Sequence, residues 1–519
     1  MNESYLLHQK TKHRLSYKLR PHSSYSNLKK RSNLSSDFEK DIEKHHRSQN
    51  FICKKDINHF VVFLIALALT AVSSDAFSAS KSSLSFISNN RDKYHSLKGN
   101  SGLFMVASQQ DQDQERKNMD MNAVAKLMKE RASTEHPFTE EEIEGVLTSF
   151  QSLLPAESKS EIDLEKLKNL LKEVPHLSHK QWDRTGTSSA SLQDILLPST
   201  AGKTECGLNS DFESVMERVL NEGNWFGAAS AAVPGNGKPW AVLVTGVNGI
   251  RKTTSIYQPW FQDLLAEAIV LPKDPNEKIP SKEIAKDILP TGQNSFFRQL
   301  DHMITIIAKK EFENLYTMTN EMTKQENGGS KDNPSSEVID SYARLKDAIF
   351  TRYRTLAEML GILLLREASE RNMNVMLETS GRDVAMFEYV NKFFSSDKYN
   401  KLVLHFTIND ISFAEKSVDT RMTGEIKDGM DAMDGGSAQK VVYANKGGPY
   451  GSEVLKGVQS ASDKVWVEKV IVDGGVADSW HKAEIMIEGS ETEDWKAVGI
   501  VRGTNNEENR GKEYTFERR

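Results

Sequence analysis

The chain has 519 residues, with 67 Lys and Arg against 73 Asp and Glu, and is 38% hydrophobic and 27% charged. That is far longer than one ordinary domain. Its two cysteines, Cys53 and Cys206, cannot build a disulfide framework or a four-cysteine metal site, which excludes small secreted scaffolds and zinc fingers. An overall charge of −6, without a dense basic stripe in the C-terminal half, gives no electrostatic reason to expect a nucleic-acid partner.

Charge divides the chain into two objects. Residues 1–59 hold 13 Lys and Arg against 6 acids, a net +7 that leaves −13 for everything downstream. Phe60–Val72 is then a 13-residue apolar run interrupted only by Thr70, whereas a spanning helix needs about 20 such residues. Its length suits a signal-peptide core, and Ser74-Asp75-Ala76 places small residues before Phe77. The Ser-rich, basic stretch 77–105 has transit-peptide composition. Residues 1–105 therefore read as a disordered leader with two sorting signals, removed to leave no stable membrane span. The Asp75-Ala76-Phe77 junction resembles the Ala-Phe cleavage motif of bipartite presequences in algae with complex plastids. That resemblance implies a plastid destination, with a signal-anchored endomembrane location as the alternative.

Residues 117–184 have helical periodicity. Met119, Met121, Val124, Leu127 and Met128 form a stripe, and Thr139 with Glu140, Glu141 and Glu142 opens a second helix. Ile143–Leu153 and Leu164–Val174 flank a loop with an EF-hand outline, but Pro155, Glu157, Lys159 and Lys166 fall at ligand positions one, three, five and twelve. A Lys at the bidentate position cannot bind calcium, so the outline implies shape only: a helical module that either packs on the rest of the chain or docks a protein partner. Residues 185–235 read as a polar linker followed by a short helix, the Ser/Thr/Gly-rich span Thr185–Leu208 being the linker proper.

The strongest signal lies in the last segment, 236–519. Pro239–Thr245 is a continuous apolar strand, followed by Gly246-Val247-Asn248-Gly249-Ile250-Arg251-Lys252-Thr253-Thr254. An apolar strand, a glycine turn and Lys-Thr at a helix start describe a Walker A loop. Backbone N–H groups of Asn248 to Thr253 would converge on a polyphosphate, Lys252 would face its terminal phosphates, and the Thr253 hydroxyl would ligate Mg2+. Arg251 stands where the pattern has its second glycine. An Arg there strains the loop, blocks the pocket or adds a cation, and the sequence leaves all three open. Pro259 requires the helix after the loop to be short or kinked.

Glu337–Asn372 is a long helical pattern, and Met373–Leu377 is a short strand ending at Glu378-Thr379-Ser380-Gly381-Arg382. Side chains just past the carboxyl ends of parallel strands face the ligand crevice, which places Glu378 beside the loop. There it either contacts Mg2+ through water, orients the acceptor hydroxyl or acts as its base, or else is a solvated Glu opening the next helix. Arg382 either pairs with phosphate or caps local structure. A third strand, Lys401–Thr407, leads into a helix carrying Lys416 and Arg421, and Arg421 would neutralise charge from above the nucleotide. His405 alternates with apolar residues and reads as a core histidine. Asp428–Gly451 is expected to be a mobile loop, and Val465–Val472, Ala483–Ile487 and Val498–Val501 are expected strands.

In this order GVNGIRKT, VMLETSGR and LVLHFTINDISFAEKSVDTRM resemble zeta-toxin-type P-loop kinases, over roughly Pro239–Arg421. The resemblance implies a three-layer α/β P-loop domain with a parallel sheet, behind the helical module and presequence. It also implies ATP and Mg2+ as cofactors and transfer of phosphate to a small acceptor that the sequence does not identify. By carry-over Lys252 and Thr253 hold phosphate and Mg2+, Glu378 contacts the acceptor and Arg421 sits in the lid, so Lys252, Glu378 and Arg421 are the candidate catalytic residues. No Asp-x-x-Arg segment follows Ile269-Val270-Leu271; a long insertion runs instead to Ser295–Asp301, where Asp301 is a candidate base. GVNG, KTT and ETSGR also echo signal-recognition-particle-type GTPases, although no Thr-Lys-x-Asp follows Arg382. A third reading is a nucleotide-binding protein made non-catalytic by Arg251.

Overall fold

In the computed structural model, residues 121–516 are described apart from short internal stretches, the longest being 271–287. The signal core, transit-like segment and cleavage junction lie outside the described residues, as does Cys206. All described residues belong to one compact unit, Leu97–Arg519. Among them no helix is long and apolar enough to cross a membrane.

Four helices come first: α1 (Met121–Ser133), α2 (Glu140–Leu153), α3 (Leu164–Glu173) and α4 (Trp182–Leu196). Helix α2 starts as its sequence requires, because Thr139 and Glu142 form a reciprocal capping box that satisfies two otherwise orphaned N–H groups. The polar linker expected over 185–208 is a correction: residues up to Leu196 continue α4. Thr185, Ser189 and Leu192 recur at helical spacing and are buried, and the Ser189 hydroxyl donates to the Met359 carbonyl at 2.7 Å. A small polar stripe that looks solvated in sequence is thus a close-approach face.

Short helices α5 (Ser210–Val215), α6 (Glu217–Glu222) and α7 (Trp225–Ala231) lead to β1 (Trp240–Thr245), α8 (Lys252–Ser255) and α9 (Pro259–Val270). Then come β2 (Ser295–Phe297), α10 (Leu300–Ile307), α11 (Lys309–Asn327), the 35-residue α12 (Ser336–Glu370), β3 (Asn374–Thr379), α13 (Ala385–Phe393) and β4 (Asn400–Ile408). The chain ends with α14 (Ile411–Met433), α15 (Ala438–Ala444), α16 (Ser452–Val465), a π-helical turn at Trp466–Val470, β5 (His481–Glu488), β6 (Lys496–Arg502) and β7 (Glu508–Thr515).

The seven strands form one sheet in the order β2-β3-β1-β4-β5-β6-β7. The first five in that order are parallel, and β6 and β7 add antiparallel to β5. All six residues of β1 are buried, as a parallel strand covered on both faces requires. Helix α12 is apolar around most of its circumference because it packs against α1, α4 and α10. One continuous hydrophobic core consequently runs from Val124 in α1 to Tyr514 in β7.

Two further expectations are corrected. Asp428–Met433 completes α14, and Ala438–Ala444 is α15; Gly429 and Met430 are buried, and a Cβ at Gly429 would collide with the Tyr316 ring. Glycines read as flexibility here serve close packing. Val465–Val472 is no strand: Val458, Ser462, Trp466 and Val470 bury one side at intervals of four, while Val467 and Val472 are 54% and 40% exposed. Helical spacing overrides the β-branched composition.

Candidate functional site

Strand β1 delivers the chain to Gly246, and the turn into α8 uses left-handed backbone at Gly246, Gly249 and Arg251, with φ of 130°, 85° and 59°. Two of these positions require glycine on space as well as conformation. A Cβ at Gly246 would lie 2.4 Å from the Phe406 carbonyl oxygen, and one at Gly249 would lie 2.6 Å from that of Ala414 in α14. Arg251 adopts the conformation that a glycine would take there, at a cost of about 1 kcal/mol. Its guanidinium stacks 4.3 Å from the centre of the Trp495 ring, and it does not line the cavity beside the loop. Of the three outcomes open in the sequence, backbone strain is present and the cation is engaged by an aromatic ring. Replacing Arg251 with glycine relieves the backbone and loses the ring contact, effects of about 1 kcal/mol in opposite directions, whereas alanine keeps the strain and loses the contact. Urea titration should therefore find Arg251→Ala less stable than Arg251→Gly by about 1 kcal/mol.

Beyond Arg251, α8 stops after one turn and Pro259 opens α9, as the proline demands. Lys252 is 4% exposed; its Nζ donates to the Val247 carbonyl at 2.5 Å and lies 2.9 Å from Glu378 Oε1. The Thr253 hydroxyl donates to Glu378 Oε2 at 3.4 Å. Parallel pairing aligns Val244 with Glu378, which is why the carboxylate stands beside the loop. Three of the predicted side chains thus meet at the carboxyl edge of adjacent strands. Ile250 is buried, so any role it has in ligand binding falls to its backbone, and Thr254 is exposed.

His405, aligned with Thr245 across β1 and β4, is the expected core histidine. Its Nδ1 lies 2.9 Å from the Thr245 hydroxyl, and its ring stacks on Trp466 at 4.7 Å.

Arg421 is differently placed from a free lid cation. It donates to the Gly448 carbonyl at 3.0 Å and lies 3.5 Å from Glu425. Glu425 is fully buried and also holds Lys346 at 2.6 Å and the Lys446 backbone N–H at 2.9 Å. Arg421 therefore pins the segment 445–450 against α14, and it does not contact Lys252 or Glu378. That segment reaches the loop: a Cβ at Gly448 would lie 2.8 Å from Asn248 Nδ2 and 3.3 Å from Asp301 Oδ2.

Next to the loop lies a cavity of about 340 Å3. Its walls come from the carboxyl ends of β2 and β3, the 347–354 face of α12 and the Gly448–Tyr450 segment, with Asn248 at the loop side. The Asp301 carboxylate faces it without a hydrogen-bond or ion-pair partner among the described residues. Burial, reinforced by the Glu378 charge, pushes the Asp301 carboxyl above the usual carboxylate range. Arg382 also lines the cavity, with its guanidinium 5.4 Å from the Tyr450 ring centre. The cavity arginines Arg298 and Arg354 carried no distinct signal in sequence. Arg354 nevertheless belongs to a polar stripe, Asp347, Thr351 and Arg354, on an otherwise apolar helix.

Among the described residues no group of three or more His, Cys, Asp or Glu side chains is arranged to hold a metal by itself. Comparison of the chain with protein-family models, with curated proteins and with solved structures finds no match.

Proposed function

We propose that the chain is an ATP- and Mg2+-dependent phosphotransferase acting on a small hydroxyl-bearing acceptor. The observation carrying this reading is the meeting of Lys252, Thr253 and Glu378 at the glycine loop, beside a cavity faced by the unpartnered Asp301. The start of α8 and the loop backbone would supply N–H donors to the polyphosphate. Lys252 would exchange Glu378 for the terminal phosphates. Thr253 and Glu378 offer neighbouring hard oxygens, the donor type that Mg2+ takes from protein while phosphate and water supply the rest. In this reading Asp301, with its raised affinity for a proton, removes the acceptor's hydroxyl proton as the phosphoryl group arrives. Arg421 acts by fixing Gly448 between loop and cavity.

Calorimetric titration of the full chain with Mg·ATP and Mg·GTP tests the nucleotide half. Mg·ATP is expected to bind preferentially, and Lys252→Ala to weaken it about tenfold or more through loss of a charge-assisted contact. Preferential GTP binding would replace this reading with a targeting GTPase. Binding without turnover would leave a nucleotide sensor, and no binding of either nucleotide would end all three.

A further inference from the structure

The cavity lining holds two chemically different sets of side chains. One is Asn248, Asp301 and Glu378; the other is three guanidinium groups, Arg298, Arg354 and Arg382. Arg298 is 3% exposed. Its Nη1 lies 2.5 Å from Glu358 Oε2 and 3.4 Å from the Tyr389 hydroxyl, while its Nε is buried without a hydrogen bond. Arg354 reaches the same carboxylate, Nη2 to Glu358 Oε1 at 3.8 Å, and its Nε is likewise buried and unbonded. Two arginines therefore share one carboxylate, and the trio Arg298, Arg354 and Glu358 keeps one net positive charge. Arg382 adds a third cation whose neighbour is an aromatic ring.

Of the other acids in the lining, Asp347 is paired with a cation and Asp383 keeps its charge. Asp347 pairs with Lys129 at 2.5 Å, and Asp383 accepts the Ala385 backbone N–H at 3.0 Å. Counted with Glu358 and Asp383, the three guanidinium groups Arg298, Arg354 and Arg382 keep one net positive charge. Guanidinium forks match the geometry of an oxyanion.

We propose that the acceptor is itself an anion: a small hydroxy compound whose phosphate or carboxylate is held by Arg298, Arg354 and Arg382 while its hydroxyl is turned toward Asp301. The assignment of the hydroxyl end rests on the phosphotransferase reading; the oxyanion site does not. A cavity of about 340 Å3 admits a molecule of hexose phosphate size. A neutral polyol has no charge to set against these guanidinium groups and would gain little there.

Titration of the full chain, without nucleotide, with glucose, gluconate and glucose 6-phosphate separates the outcomes. At least one anion is expected to bind about tenfold or more tightly than glucose, with gluconate against glucose 6-phosphate distinguishing carboxylate from phosphate. Arg382→Gln and Arg354→Gln, checked by thermal melting for an intact fold, are each expected to reduce that preference by about tenfold. In Lys252→Ala the preference should persist; its loss would put the anion on the glycine loop and overturn the proposal. Equal binding of all three probes, binding of none, or indifference to both arginine variants would also overturn it. An arginine-dependent anion preference in a chain that fails to bind ATP would instead remove the phosphotransferase reading and leave the oxyanion site standing.

Discussion

Asp301→Asn is expected to lower turnover by about 100- to 10,000-fold, the range that a positioned general base supplies, while making the protein more stable at neutral pH. The two effects have one cause. Burial and the neighbouring Glu378 raise the proton affinity of Asp301, so its neutral form is favoured in the folded chain. The stability this contributes is fully present below the unfolded pKa and is lost as pH rises through the higher folded value. At neutral pH, above the unfolded value, the raised proton affinity of Asp301 costs stability, and asparagine removes that cost. Activity runs the other way: a base works deprotonated, so the rate should fall as pH drops through the raised Asp301 pKa, and this acid limb should vanish in the variant. The measurement is kcat against pH, using the acceptor found by titration, together with urea unfolding of both proteins. A variant that kept full activity, or lost activity together with stability, would show that Asp301 holds structure and performs no chemistry.

The second large effect concerns the union of the front helices with the sheet-bearing part. Arg352 of α12 is fully buried; its Nε and Nη2 donate to Glu142 of α2 at 2.9 and 2.6 Å, and Nη2 also donates to the Pro137 carbonyl. Burial opposes ionisation of Glu142, but Arg352, together with the Thr139 N–H and Arg131, outweighs it and the carboxyl is held below its usual range. That depressed value means a stability contribution present above the unfolded pKa and lost as pH falls through the folded one. Nearby Glu311 behaves oppositely: burial and the Glu142 charge push it up to about 7, so the stability from its neutral form is lost as pH rises from the usual carboxylate range toward 7. Glu142→Gln strands the Arg352 charge in the core and is expected to cost about 3–5 kcal/mol. The double variant Glu142→Leu, Arg352→Met, which removes both charges and fills similar volume, should recover part of that loss, the rest being the capping-box contact with the Thr139 N–H and the ion pair with Arg131. Urea unfolding of the three proteins checks both statements. An additive double variant would mean that the two side chains are not coupled.

Much of the site was legible from residue order. The run Trp240–Thr245, followed by glycines and Lys252-Thr253, has one economical conformation, and the glycines at 246 and 249 stand where φ is positive and space is lacking. Pro259 marked the break between α8 and α9, and Thr139 with Glu142 marked the start of α2. Each of these is a local signal, carried by neighbours within a few residues. The readings that failed took composition for conformation. Ser/Thr/Gly content at 185–208 and Gly/Asp content at 428–451 suggested loops, and β-branched content at 465–472 suggested a strand, whereas helix packing decided all three.

By itself the sequence determined the apolar strands, the loop conformation, the caps and the residue types brought to the carboxyl edge, because these depend on backbone sterics and on periodicity along a short stretch. Only the tertiary structure decided what those residues meet. Lys252 and Glu378 become neighbours through strand pairing across 125 intervening residues. Arg251 finds Trp495, Arg421 is tied down by Glu425, and three arginines, two from the segments after β2 and β3 and one from α12, come to line one cavity. Such meetings are set by which faces of sheet and helix must be buried together. That constraint belongs to the whole core and leaves no mark at any one position of the chain.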